Sequence, residues 1–329
     1  MWKIGGRVTP VCVLIIGMVL GVLGAGAQPA PEKGIVFVTR ADNAPDGAIL
    51  RLQDAASGTF QTIVEGLSSP NIIVCGTDGR LYTTENFARD SNRSVHRILR
   101  FNQDGSGRTL VAEWGSTVLR PSSLVFTANG DLYFGTFSNE AGKPTLGIWR
   151  ILNALQADQQ FNAPQQVLTG EVFSLPPSQP FKFLGIVSPH ALMKAGTFAG
   201  DLLILDEPTA STNGLPGPEM IKSRIMRAAK PDFNTVTEFA PFSKDAETGR
   251  GQNFASLATN KQGDVFVTDF LNGKVLRYGP DGSFRGTFLK IQNANQIDIG
   301  PDERVYVTTY SGFYNWPRKL DHGLRWKNE

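Results

Sequence analysis

Cysteine is almost absent from this chain: 2 residues in 329. Cys12 lies in an N-terminal segment unlike the rest, and Cys75 is left alone in the remainder, so no intramolecular disulfide can form there. Stability must come from burial, and a chain with 41% apolar residues can build a large core. Neither sign of charge dominates, with 32 Lys and Arg against 30 Asp and Glu. That balance offers no electrostatic footprint for a nucleic-acid partner. Apolar residues nowhere keep a 3.6-residue period over a long stretch, and none of their runs approaches the ~20 residues that span a bilayer. The hydrolase elbow G-x-S-x-G is missing, and Ser311-Gly312 lacks its frame. There is also no H-E-x-x-H pair, no paired-cysteine motif and no phosphate-binding loop. Histidine is scarce as well, at 3 residues: His96 and His322 are expected to be solvent-exposed, and His190 is the informative one.

What is present begins with a leader. Lys3 and Arg7 give a positive start, residues 11–23 an apolar run, and Ala25-Gly26-Ala27 a small-residue end. This order predicts a signal peptide over residues 1–27, cleaved to leave a secreted or periplasmic chain of residues 28–329 with no stable membrane insertion. Cys12 stands at the front of the apolar run, which argues against a lipoprotein site. Loss of Lys3 and Arg7 would leave 30 basic residues against 30 acidic ones.

The clearest organising phrase is residues 253–289, NFASLATNKQGDVFVTDFLNGKVLRYGPDGSFRGTFL. It predicts four short strands separated by the turns Gln262-Gly263-Asp264, Asn272-Gly273 and Pro280-Asp281-Gly282. Worn copies of its second strand recur at residues 34–39, 79–84, 130–135, 200–205 and 303–308, and third strands are expected at 48–52, 96–101, 147–152, 223–228 and 274–278. Units of this length, each with four strands, predict an all-β fold: a single six-bladed β-propeller of four-stranded antiparallel blades. The first unit lacks an opening strand. Pairing of the C-terminal tail with that unit is the expected ring closure, since it leaves no sheet edge exposed.

The phrase G-D-V-F-V-T-D-F…N-G-K-V-L-R-Y-G-P-D-G at residues 263–282 resembles an NHL-type repeat. It is also similar to the repeat of the senescence-marker/gluconolactonase family of six-bladed propellers. The likeness runs from about residue 34 to 311. It implies the fold; these propellers host hydrolases, lyases and binding modules alike.

In a propeller, the start of each innermost strand and the end of the second strand ring the same mouth of the central channel. The longest segments, residues 86–95, 138–146, 170–189, 207–222 and 243–252, all fall on that face, where binding residues tend to lie. Aligning the openings S-P-N-I-I-V, R-P-S-S-L-V, S-P-H-A-L-M, Q-N-F-A-S-L and N-A-N-Q-I-D places Asn71, Ser122, His190, Phe254 (or Asn253 in the alternative register) and Asn295 around it. The resemblance implies a divalent cation, Ca²⁺ or another, held by carboxylate and Asn side chains at these openings. Only the Asn positions carry over, and no aligned opening is acidic. Second-strand ends supply the nearest carboxylates, Glu85, Asp206, Glu207 and Asp269, of which Asp206 and Asp269 also read as caps of the turn that follows.

Two functions follow from this. An exported propeller, expected as a monomer, would bind a small molecule, sugar or other glycan, or peptide at the mouth. Alternatively, a metal-dependent lactonase, esterase or lyase would use His190 as general base, with Asp269 and Glu85 in catalytic roles. There the cation would sit on Asn71, Asn253, Asn295 and Asp206. Ser122, Phe254, Glu207 and Tyr310 are candidate substrate contacts in either case, and Tyr310 joins Phe313, Tyr314 and Trp316 in a candidate stacking surface. The missing aligned acid favours binding.

Overall fold

The computed structural model describes residues 11–16, 35–40, 47–54, 59–90, 93–115, 120–138, 147–156, 164–169, 183–210, 223–241, 243, 245–300, 303–309 and 325–327. These residues form antiparallel sheets with a single short 3₁₀ turn at Ala154–Gln156. The first sheet is β1 (Val11–Ile16), β2 (Ile35–Arg40), β3 (Gly47–Asp54) and β4 (Thr59–Leu67). The second is β5 (Ile73–Cys75), β6 (Leu81–Asp90), β7 (Arg93–Phe101) and β8 (Thr109–Gly115). A nine-stranded sheet follows. Its first half holds β9 (Arg120–Pro121), β10 (Val125–Phe126), β11 (Leu132–Ser138), β12 (Gly147–Ile151) and β13 (Gln165–Thr169). Its second half holds β14 (Phe183–Leu192), β15 (Leu202–Ala210), β16 (Arg224–Ala229) and β17 (Thr235–Ala240). The fourth sheet is β18 (Phe254–Thr259), β19 (Val265–Asp269), β20 (Lys274–Tyr278) and β21 (Phe284–Lys290). The last is β22 (Ala294–Ile299), β23 (Val305–Thr309) and β24 (Arg325–Lys327).

The architecture is an all-β propeller, and each repeated phrase becomes a second strand with its third strand beside it. The recurrent Gly-Asp has a physical reason at each position. Gly263 has a φ of +85°, and a Cβ there would lie 2.8 Å from the Ala195 carbonyl oxygen, so no side chain fits. The buried aspartate that follows staples the outer turn of its own unit. Asp131 Oδ1 accepts from Asn153 N (2.9 Å), and Asp201 Oδ1 accepts from Lys230 N (3.1 Å) while Oδ2 holds Arg227 (2.7 Å). Asp264 takes Arg277 Nε (3.0 Å) and Arg285 Nη1 (2.7 Å). In the last unit Glu303 occupies the glycine position at φ +61°, offset by hydrogen bonding to Lys261 N (3.2 Å).

Apolar clusters fill the spaces between successive sheets. Phe37 and Ile49 meet Ile73 and Leu81; Tyr82 and Ile98 meet Leu132 and Phe134; Phe266 and Val275 meet Ile297 and Val305. Val36 and Val38 pack on Tyr306, which brings the last sheet against the first and closes the ring. Hydroxyls add polar latches across these seams: Thr39 Oγ1 to Asn71 O (3.2 Å), Thr259 Oγ1 to Leu192 O (3.0 Å) and Thr268 Oγ1 to Asn295 O (2.7 Å).

Several expectations need correction. Among the described residues there are five hydrogen-bonded sheets rather than six. The third and fourth sequence units are joined because β11 runs on past its own partner and pairs with β14, Thr136 opposite Val187 and Ser138 opposite Gly185. Residues 86–95 are mostly ladder, not loop, since β6 and β7 extend as one hairpin with Glu85 opposite Arg97 and Asp90 opposite Arg93. The tail segment β24 pairs with β23 of its own unit, not with the first sheet. The inner place of the first sheet is taken by β1, from the segment read as a leader, with Val11 opposite Arg40 and Ile16 opposite Ile35. His96 is buried, bonded to Asn86 Oδ1 (2.7 Å) and set against Trp114, rather than solvent-exposed.

Candidate functional site

The inner strands β5, β10, β14, β18 and β22 and the residues flanking them surround a cavity of about 580 Å³, the central channel. At the end where these strands begin, Ser122, His190, Ser256 and Gln296 line it. Ser188 Oγ donates to Ser122 Oγ at 2.8 Å, across the two halves of the nine-stranded sheet. His190 Nδ1 lies 3.5 Å from Ser256 Oγ, joining that sheet to the next. Ser123 also lines the channel, and its buried hydroxyl has no hydrogen-bond partner among the described residues.

Local backbone irregularity aims these groups. The β14–β15 ladder shifts register between Pro189 and Ala191, so His190 is the extra residue of a β-bulge. Pro189 suits such a position because it has no N–H to give to a ladder. β18 shifts between Phe254 and Ser256, and β22 between Ala294 and Ile297. Each shift changes which side chain meets the channel, because neighbouring residues of a strand face opposite ways.

The expected site residues therefore part company. Ser122 and His190 line the channel together. Phe254 does not: it is fully buried in the core with Leu257, Val267 and Tyr278. Asn71 and Asn295 give their backbone oxygens to the threonine latches, Asn253 gives its N–H to Asp269, and none of the three lines the cavity. Ser256 and Gln296 take the places that strict alternation assigns to Phe254 and Asn295. The sequence signal for this is slight: Pro189 hints at a bulge in one opening, but the others carry no such mark.

The second-strand carboxylates point to structural partners. Glu85 accepts from Ser68 N (2.8 Å) and lies near Arg108 (3.5 Å) and Arg97 (3.9 Å). Asp206 holds Arg224 Nε at 2.7 Å, and burial pushes its carboxyl up to about 6 despite that guanidinium. Asp269 accepts from Asn253 N (3.1 Å) and Asn272 Nδ2 (2.8 Å); burial raises its pKa, and those hydrogen bonds oppose the rise. Glu207 sits in β15 opposite Ile186. Tyr310, Phe313, Tyr314, Trp316 and His322 lie outside the described residues.

Burial drives the His190 pKa down to about 3, so its imidazole stays neutral at physiological pH, with one donor and one acceptor nitrogen. Burial, with Asp78 and Asp298 nearby, pushes the Cys75 thiol up to about 12 and leaves it unreactive. The mouth is thus built from neutral hydrogen-bonding groups. A hard divalent cation needs carboxylate oxygens, and these donors do not fit one. Among the described residues no group of three or more His, Cys, Asp or Glu could hold a metal ion.

No family model and no curated protein sequence matches the chain. Solved structures do. A gluconolactonase from Xanthomonas campestris matches with a TM-score of 0.52 at 13% identity, over 83% of this chain and 79% of that one. The calcium-binding protein regucalcin from Agrobacterium tumefaciens matches with a TM-score of 0.50 at 15% identity, over 90% and 86%. An α-L-arabinofuranosidase of Fusarium graminearum, solved with arabinobiose, gives 0.57 at 9% identity, over 92% and 87%. At such identities the likeness is one of fold, and the fold is the β-propeller shared by gluconolactonase- and regucalcin-like proteins.

Proposed function

We propose that this chain is an exported propeller that captures a small molecule or glycan at the mouth of its channel. The leader composition supports export to the periplasm or the outside, with residues 28–329 as a monomeric single domain; cleavage after Ala27 would remove β1 and leave β2 as the inner strand of the first sheet. One observation carries the binding reading: Ser122, His190 and Ser256, from three neighbouring inner segments, line one cavity of about 580 Å³, with Ser122 held by Ser188 and His190 set 3.5 Å from Ser256. A volume of this order suits a small ligand. Neutral hydroxyls and a neutral imidazole complement a hydroxyl, ester or lactone carbonyl rather than an ion.

A second reading, hydrolysis of a lactone or ester, is favoured by the fold shared with the solved gluconolactonase. In that reading His190 is the general base, and a pKa near 3 makes it a weak one. The hydroxyls and imidazole at the mouth do not suit a hard cation, so this reading rests on those side chains themselves.

Elemental analysis of the purified protein, followed by thermal shift with Ca²⁺, a chelator and a panel of hydroxyl and carbonyl compounds, tests both readings. A ligand present at about 100 times its Kd stabilises by about 2.7 kcal/mol. The binding reading expects such a rise with an organic ligand, lost in Ser122→Ala and His190→Ala, and little response to Ca²⁺ or chelator. A ligand response unchanged in both variants would overturn it. Lactone or ester turnover lost in His190→Ala would establish the second reading instead.

A further inference from the structure

The first sheet differs from the others in where its inner strand comes from. β1 pairs with β2 through six consecutive residues, from Val11 opposite Arg40 to Ile16 opposite Ile35, with no register shift. The inner strands β14, β18 and β22 all shift against their partners. β1 also runs beside β5 and β22, so it fills the inner-strand place between them. Its sequence, V-C-V-L-I-I, is apolar and uncharged, and it belongs to the leader. Cleavage after Ala27 therefore takes an inner strand away and leaves its seat in the ring.

That seat suits another strand. In an antiparallel ladder alternate residues turn both N–H and C=O to the same neighbour, so half the backbone groups of Ile35–Arg40 lose their partners with β1. Unpaired backbone groups in a place walled by protein are costly. The walls have partners of their own: Val36 and Val38 pack on Tyr306, and Phe37 packs with Ile49, Ile73 and Leu81. The tail strand β24 is committed elsewhere, as the partner of β23.

We propose that the inner edge of β2 in the mature protein is a docking groove for an extended apolar strand of another polypeptide. The strand adds antiparallel, in the register that β1 shows, and its backbone bonds to β2 supply the affinity. An unbroken edge is a better template for such addition than a bulged one. The occupant matches β1 in length and composition: six residues, uncharged because a charge between two inner strands would lose its water, and without proline, which cannot donate to a ladder. This goes beyond the capture of a small ligand and rests only on removal of the leader.

The test purifies the exported protein, sequences its N-terminus and titrates it in reducing buffer with a fluorescent peptide of Val11–Ile16 flanked by lysines for solubility. A control peptide carries Val13→Pro and Leu14→Pro together, since one of two adjacent residues must donate to β2. The first peptide should raise the melting temperature and slow hydrogen exchange at Ile35–Arg40. The control should bind at least about tenfold more weakly, the loss expected from about one ladder bond. Equal affinities, no binding, or slowed exchange confined to other strands each overturns the proposal. Amides of Ile35–Arg40 already slow in the free cleaved protein overturn it too, because the chain's own tail then fills the seat. An N-terminus that retains Val11–Ile16 removes the leader reading, and the groove with it, before any peptide is added.

Discussion

Replacing His190 with glutamine measures how dry the channel mouth is. In the unfolded chain a histidine titrates near 6.5, whereas in the folded protein burial holds the imidazole at about 3. A depressed folded pKa contributes stability that is complete above the unfolded value and is lost as pH falls towards the folded one. Between about pH 7.5 and about pH 5 the unfolded imidazole takes up a proton that the folded one refuses. One pKa unit is worth about 1.4 kcal/mol, so wild type should lose about 2 kcal/mol over this window through His190 alone. A glutamine side chain has a similar reach and does not titrate. Asp206, whose raised pKa acts in the opposite sense, is common to both proteins and cancels in the comparison. Urea denaturation followed by tryptophan fluorescence at each pH gives the difference in unfolding free energy. That difference should move by about 2 kcal/mol against wild type on acidification. A difference independent of pH would mean that His190 protonates freely in the folded state. The mouth would then be wet, and a neutral imidazole could not be counted among its groups.

Other outcomes follow from the same geometry. Phe254→Ala should cost about 3–5 kcal/mol in denaturant unfolding, because the ring is in the core and not at the mouth. A small loss of stability with a large loss of ligand binding would refute that placement. Lys274, 3% exposed, holds Asp245 at 2.6 Å, and Lys274→Ala should cost about 1.5–3 kcal/mol by removing the charged partner of a buried carboxylate that keeps its bonds from Glu247 N and Thr248 N. Removing the exposed Lys290 from Glu247 should cost under about 1 kcal/mol; equal effects in thermal melts would contradict the difference in burial. Carbon-13 titration should place the Asp206 midpoint above the ordinary carboxylate range, near 6, so its contribution to stability is full in acid and lost as pH rises through that value. A midpoint below about 4 would show that Arg224 outweighs burial.

Much of the fold was legible in advance because turns are local. The Gly-Asp phrases mark second strands wherever a positive φ and a buried staple are needed, and every expected third strand lies where the turn spacing put it. The candidate site was only half legible. Ser122 and His190 reach the channel as alignment placed them, while Phe254 and Asn295 are displaced by bulges that cost no visible residue in the sequence. The same limit applies to Glu85, Asp206 and Asp269, since a carboxylate at a strand end looks alike whether it faces solvent, ligand or an arginine from the next strand.

The amino-acid sequence by itself determined the propeller and its strand order, because φ preferences, turn chemistry and two-residue alternation act over a few neighbours. Only the tertiary structure decided how many sheets those strands make, as β11 pairs with β14 across a long stretch of intervening chain. It also decided which side chains share the channel, for that depends on ladder shifts set by packing between sheets. Long-range pairing and burial are collective, and no single stretch of residues encodes them.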